Sequence, residues 1–185
     1  MPIFKKAKQK DVPLPEPESA VKQLDKRVGY DSYRDFYTLK NYWKTVDRNK
    51  KFAAGLFMDR YLKARPENQA KYAKLKNLTN ITPESADPGF EAVSAQYLKV
   101  FDDVITTVEE QPSDASPACD RLIAVGKMHR TKVSGMKFDD FQQLEDPFLY
   151  MIGEILQDRF NEKAENLFRK FFQFCLKYIL EGFNS

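Results

Sequence analysis

Apolar residues return every three or four positions along most of this chain, a rhythm that predicts helices rather than strands. From about residue 29, Tyr33, Phe36, Leu39, Trp43 and Val46 mark one buried face, and Phe52, Leu56 and Tyr61 continue it. Pro66 suits the first turn of a short further helix, where its missing N–H costs nothing. Residues 73–87 are polar and irregular. In "DPGFEAVSAQYLKVFDDVITTVEE", Asp87 reads as an N-cap with Pro88 just inside, ahead of the stripe Phe90, Val93, Tyr97, Phe101, Val104 and Val108. Pro112 closes that element, and Ser116-Pro117 opens the next, which reaches His129. Phe138, Phe141, Leu144, Phe148, Ile152, Ile155 and Leu156 predict a long helix, with Pro147 inside it implying a kink or a late start. Asn161 to about Glu181 predicts the last helix, ended by Gly182. The expectation is an all-α body of about six or seven helices.

The first 26 residues break this rhythm. "MPIFKKAKQK" carries four lysines and "DVPLPEPES" three prolines, a composition that favours an extended, solvated chain. Residues 1–26 are therefore expected to be a flexible tail, and 27–185 a single folded domain. The 15 Phe, 9 Tyr and one Trp against only 7 Gly favour helices packed by large side chains. Thirty basic and 27 acidic residues leave +3, spread along the chain. Nucleic acid is not an expected partner, since binding it needs a concentrated basic face. No apolar run approaches the ~18 residues of a membrane-crossing helix, so no transmembrane segment is expected. Cys119 and Cys175 have no metal-ligand spacing and read as reduced thiols of a cytoplasmic protein.

Most catalytic chemistry is excluded by what the chain lacks. There is no Cys-x-x-Cys, no phosphate-cradling Gly-rich loop and no Gly-x-Ser-x-Gly elbow. The acidic pairs Asp102-Asp103, Glu109-Glu110 and Asp139-Asp140 would point about 100° apart on a helix, a poor arrangement for shared proton work. That leaves His129, the one histidine, in "LIAVGKMHRTKV". On periodicity alone, a partly exposed helix-end histidine is its simplest account.

The spacing of particular residues changes that account. Trp43 and Val46 lie in the first helix, Pro66 follows Trp43 by 23 residues, Tyr72 follows by six more and Leu75 by three more. An apolar residue and a glycine precede His129, and two long amphipathic segments follow it. In this order the chain resembles the globins, over about residues 29 to 182, with a texture similar to invertebrate, nematode-type members that carry N-terminal extensions. The resemblance implies a globin fold of about six to eight helices sandwiching haem b, with His129 as the proximal ligand of its iron. It also counts Met58, Tyr72, Leu75, Val125, Met128, Val133 and Phe141 among the residues that contact the haem.

On the opposite, distal side globins usually place a second histidine, which this chain does not have. An ungapped alignment puts Val93 at that position and Ser94 at a close helix crossing, with Phe90, Tyr97 and Phe101 facing the pocket. A shift of three residues would put Gln96 there instead. With Met58, Val93 and Tyr97 as its wall, the pocket would be poor in hydrogen-bond donors. Weak retention of O2 relative to CO or NO is then expected, unless the Tyr97 hydroxyl points at the ligand. The function implied is reversible binding of a diatomic gas for storage, sensing or signalling. The alternative is redox chemistry on the haem, such as nitrite reduction or NO oxidation, fed by an external electron donor. A homodimer is left open.

Overall fold

The computed structural model describes residues 22–185. Seven α-helices order the described residues: α1 Tyr33–Arg48, α2 Lys50–Ala64, α3 Pro88–Glu110, α4 Ser116–Lys132, α5 Phe138–Gln142, α6 Glu145–Leu156 and α7 Glu162–Asn184. Three short 3₁₀ turns, Lys26–Val28, Pro66–Lys71 and Gln157–Arg159, link them. Among the described residues there is no strand.

Helix α1 starts where Ser32 accepts the backbone N–H of Asp35, and it buries Tyr33, Phe36, Leu39, Trp43 and Val46. The buried face continues into α2 at Leu56 and Tyr61, but Phe52, expected to share it, is exposed, because the chain breaks just before it. Asn49 alone separates the two, ending one helix and starting the next, and its side chain donates to the Thr45 carbonyl at 2.9 Å. Beyond it, α2 packs between α3 and α6, which buries it from Ala53 to Asp59 and again at Tyr61 and Leu62. Pro66 opens the 3₁₀ turn to Lys71, and an irregular stretch follows. Asp87 caps α3 by accepting Phe90 N–H at 2.9 Å, with Pro88 at the first position.

Two expected boundaries differ. The long helix of 138–156 is two pieces, broken at Gln143 and Leu144, so that Pro147 falls in the first turn of α6. The last helix does not stop at Gly182 but runs on to Asn184. Gly182 is needed for another reason. A Cβ there would lie 2.0 Å from the Ile123 carbonyl oxygen, and one at Gly126 would lie 2.0 Å from that of Ile179. Helices α4 and α7 cross with their backbones in contact, and only glycine fits on either side.

The core is aromatic. Phe101 of α3 sits at its centre, with ring centroids of Phe148, Phe171, Phe172, Trp43 and Phe57 at 4.7, 6.1, 6.2, 6.5 and 6.5 Å. Residues 1–21 of the expected tail lie outside the described residues. Asp25, also assigned to that tail, is held: its backbone N–H bonds Pro112 O at 2.7 Å and its carboxylate accepts Ala115 N–H at 2.8 Å. The neighbouring Arg27 guanidinium, with the backbone N–H groups of Ala115 and Arg27, holds its carboxyl well below the usual range. Cys119 and Cys175 are both unbridged and buried, and burial pushes both thiols up. No helix among the described residues is long and apolar enough to cross a membrane.

Candidate functional site

A cavity of about 320 Å³ opens between α3 and α4, with α7 behind it. His129 stands on its wall, in the last turn of α4. Its Nδ1 lies 2.8 Å from the Val125 carbonyl, one helical turn back. A carbonyl oxygen can only accept, so Nδ1 carries the proton and the lone pair belongs to Nε2, at the far side of the ring. The edge of the ring meets Phe141, with centroids 5.5 Å apart and planes at 72°. Burial lowers the His129 pKa, and the bond to Val125 offsets only part of that. At neutral pH the imidazole is therefore uncharged and has one ligating nitrogen free.

This arrangement has a pH signature. Because the folded ring sits below the ordinary value of 6.5, the unfolded chain takes up its proton first. The stability contributed by the neutral ring is complete above about pH 6.5 and drains as pH falls toward the folded value. Urea midpoints of the haem-free protein are expected to drop on mild acidification, with a shallower drop in His129→Gln. Identical pH slopes in the two proteins would contradict the assignment.

Of the residues singled out from the sequence, Tyr72, Val93, Gln96, Tyr97, Val125, Met128, His129 and Phe141 come together around this one cavity. Met58, Leu75 and Val133 do not line it. Met58 and Leu75 are fully buried in the core, and Val133 caps the end of α4 through its N–H to His129 O. Phe90, expected to face the same pocket, lines a separate groove with Trp43 and Ser94. The wall also includes residues that the sequence did not single out. Val100 follows Gln96 and Tyr97 by one turn, and Phe172, Cys175, Leu176 and Ile179 come from one stripe of α7. Helical spacing was the signal for these. Arg121, paired with Asp103 at 3.1 Å, had no such signal.

The side facing α3 is not wholly apolar. The Tyr97 hydroxyl is hydrogen-bonded to that of Tyr72. Nearby, the Tyr61 hydroxyl accepts the Asn68 side-chain amide at 2.8 Å. Burial raises the pKa of all three phenols, so each keeps its proton at neutral pH.

These features suit a largely apolar cofactor that carries a metal able to take an imidazole. The walls are mainly aliphatic and aromatic, the one neutral imidazole offers a lone pair, and Arg121 is the only charged side chain on the wall among the described residues. A bare metal ion would not be held, because no three metal-ligating side chains gather among the described residues.

The sequence model of the globins matches residues 55–179. The chain belongs to the globin family. Among solved structures, this globin is similar to a hexacoordinated heme protein from an anhydrobiotic tardigrade, crystallised at pH 4. The two share 22% identity with a TM-score of 0.77, over 87% of this chain and 99% of that one. It is also similar to hemoglobin from the botfly Gasterophilus intestinalis, at 18% identity and a TM-score of 0.68, over 82% of this chain and 98% of that one. No curated protein sequence matches this globin. At such identities the likeness of structures speaks to the fold, and the site rests on the globin's own geometry.

Proposed function

We propose that this globin binds haem b through His129 and reversibly holds a diatomic gas, O2, CO or NO, on the opposite face, in storage, sensing or signalling. The observation that carries this is the His129 Nδ1 contact with Val125 O, which leaves Nε2 unprotonated on a cavity wall. When bound, haem would supply an iron that the His129 imidazole could ligate and that could take up a small gas. The chain does the rest. The Val125 carbonyl holds the ring in one tautomer and makes Nε2 a better donor. Phe141, Phe172, Leu176 and Ile179 exclude water from it. Arg121 provides a cation suited to the carboxylates of the haem edge.

The chain has no second histidine, and Met58 is buried away from the cavity. Any sixth ligand from the protein would therefore have to be something other than imidazole, and the resting iron is expected to be five-coordinate. Two buried, unbridged thiols support a cytoplasmic setting.

Titrating the haem-free protein with haemin tests this. One equivalent is expected to give a saturating Soret band, and reduction a five-coordinate ferrous spectrum that CO converts. Absence of stoichiometric binding would sink the proposal. A six-coordinate ferrous spectrum without added ligand would overturn the open axial position.

A further inference from the structure

Helices α4 and α7 run in the same direction. Gly182 meets Ile123 O, and farther along both helices the Arg130 guanidinium donates to the carbonyl of Ser185. Gly126 and Gly182 sit opposite each other where the backbones touch, a Cβ on Gly126 falling 3.0 Å from the Gly182 carbonyl carbon. Cys119 lies seven residues before Gly126, and Cys175 seven residues before Gly182. Seven residues are two helical turns to within about 20°, so each cysteine points the way its glycine does, toward the partner helix. The two thiols therefore face each other at one level of the crossing. They are 4% and 1% exposed and unbridged. Burial, and after it the nearness of Cys119, raises the Cys175 pKa, and burial raises that of Cys119, so both stay protonated at neutral pH. Cys175 also lines the cavity, and Cys119 does not. A small molecule that enters the cavity reaches one thiol of the pair.

We propose that Cys119 and Cys175 are a redox-active dithiol, which a peroxide closes into a disulfide that clamps α4 to α7. A disulfide needs Cα atoms about 4.4–6.8 Å apart, and packed helices usually keep their axes about 8–10 Å apart. Glycine on both sides brings these two axes closer than that, so side chains that face each other two turns away lie within reach. Hydrogen peroxide, small and uncharged, suits entry into an apolar cavity. The Cys175 sulfur takes one peroxide oxygen, the O–O bond breaks and one water leaves, giving a sulfenic acid. The Cys119 sulfur then displaces the hydroxyl, the S–S bond forms, and a second water carries off the remaining thiol proton. Two thiols are oxidised and one peroxide is reduced to two waters. The bond ties the helix of His129 to the one that backs it, and it stands whether or not haem is bound. In a reducing compartment such bridges are transient, in keeping with the cytoplasmic setting proposed above.

Haem-free, full-length protein treated with hydrogen peroxide is expected to lose the mass of two hydrogens while staying a monomer. Digestion should release peptides of α4 and α7 joined through Cys119 and Cys175, and dithiothreitol should part them. In Cys119→Ser the reaction should stop at a sulfenic acid on Cys175, trapped by dimedone. In Cys175→Ser, Cys119 should remain a thiol over the same time. Cys119→Ala serves if the serine variant does not fold. The bridged protein should unfold at a higher urea concentration than the reduced one, since the bond restricts the unfolded chain, and peroxide should not raise that midpoint in either variant.

Two alkylatable thiols left after peroxide, or Cys175 carried on to a sulfinic acid with no bridge, would overturn the dithiol. Oxidation of Cys119 in Cys175→Ser would overturn entry through the cavity. A bridge that leaves the urea midpoint unchanged would overturn the clamp. Haem binding is read separately from the Soret band, so the failure of either proposal is told apart from that of the other.

Discussion

Replacing His129 by glycine is expected to weaken haem binding by well over 100-fold, with added imidazole restoring the Soret band. Loss of a partner that merely orients a metal ligand costs about 10–100-fold, so loss of the ligand itself should exceed that range. The ring is half-buried at the end of α4, and its protein contacts are one bond to Val125 O and an edge contact with Phe141. Removing it leaves a hole open to the cavity instead of a void in the core, so the fold should survive and the free imidazole has room to enter. Competition for haemin against a second acceptor, with and without imidazole, measures both effects. Full haem affinity in the glycine variant would remove His129 from the iron.

The second large effect lies at the crossing behind the site. Gly126→Ala would place a Cβ 2.0 Å from Ile179 O and 2.7 Å from Phe183 N. Both are backbone atoms, so no side chain can swing aside, and the helices must part. Overpacking a core costs about 1–3 kcal/mol, and an obstruction made of backbone belongs at or above the top of that range. A loss near 3 kcal/mol is a large share of the roughly 5–15 kcal/mol of a typical domain. Gly182→Ala, facing Ile123 O at 2.0 Å, should cost a similar amount. The double variant should cost less than the sum, because one separation of the helices relieves both clashes. Haem affinity should fall too, since Val125 and His129 flank Gly126 on the helix that shifts. A urea midpoint unchanged by Gly126→Ala would show that the two helices do not meet as described.

Much of the fold was legible because a helix writes its buried face into the sequence at a period of 3.6. The stripe Tyr33, Phe36, Leu39, Trp43 and Val46 is buried as the spacing implied, and Asp87 caps α3 where expected. Asn49 was not legible as a break, because helix formers flank it and only the packing of α2 against α3 and α6 decides the angle. Gly182 was misjudged for a related reason. Glycine ends helices and also lets them touch, and the contact that distinguishes the two uses comes from Ile123, far away in sequence.

The site divides in the same way. Val93, Gln96, Tyr97, Val125, Met128 and Phe141 could be placed by their distance from anchoring residues in the chain, and the cavity gathers them. The stripe of α7 could not be split in advance into core and cavity wall, since Phe171 and Phe172 are neighbours of one chemical type and only Phe172 lines the cavity. The Tyr72–Tyr97 hydroxyl bond was least legible, because it joins the loop after the 3₁₀ turn to α3 and no local pattern marks a phenol whose partner is another phenol.

The crossing of α4 with α7 also bears on when the site can exist. As the chain leaves the ribosome, the segment carrying His129 emerges well before the one that backs it. Until the residues up to Gly182 are free, Gly126 has nothing to rest on and the wall formed by Phe172, Leu176 and Ile179 is missing. Helices α1 to α3 can collapse on one another earlier, as domains do during synthesis. Haem capture is therefore expected to be a late event in the life of each molecule, following release of α7. A nascent chain stalled before that helix should hold the histidine without holding the cofactor.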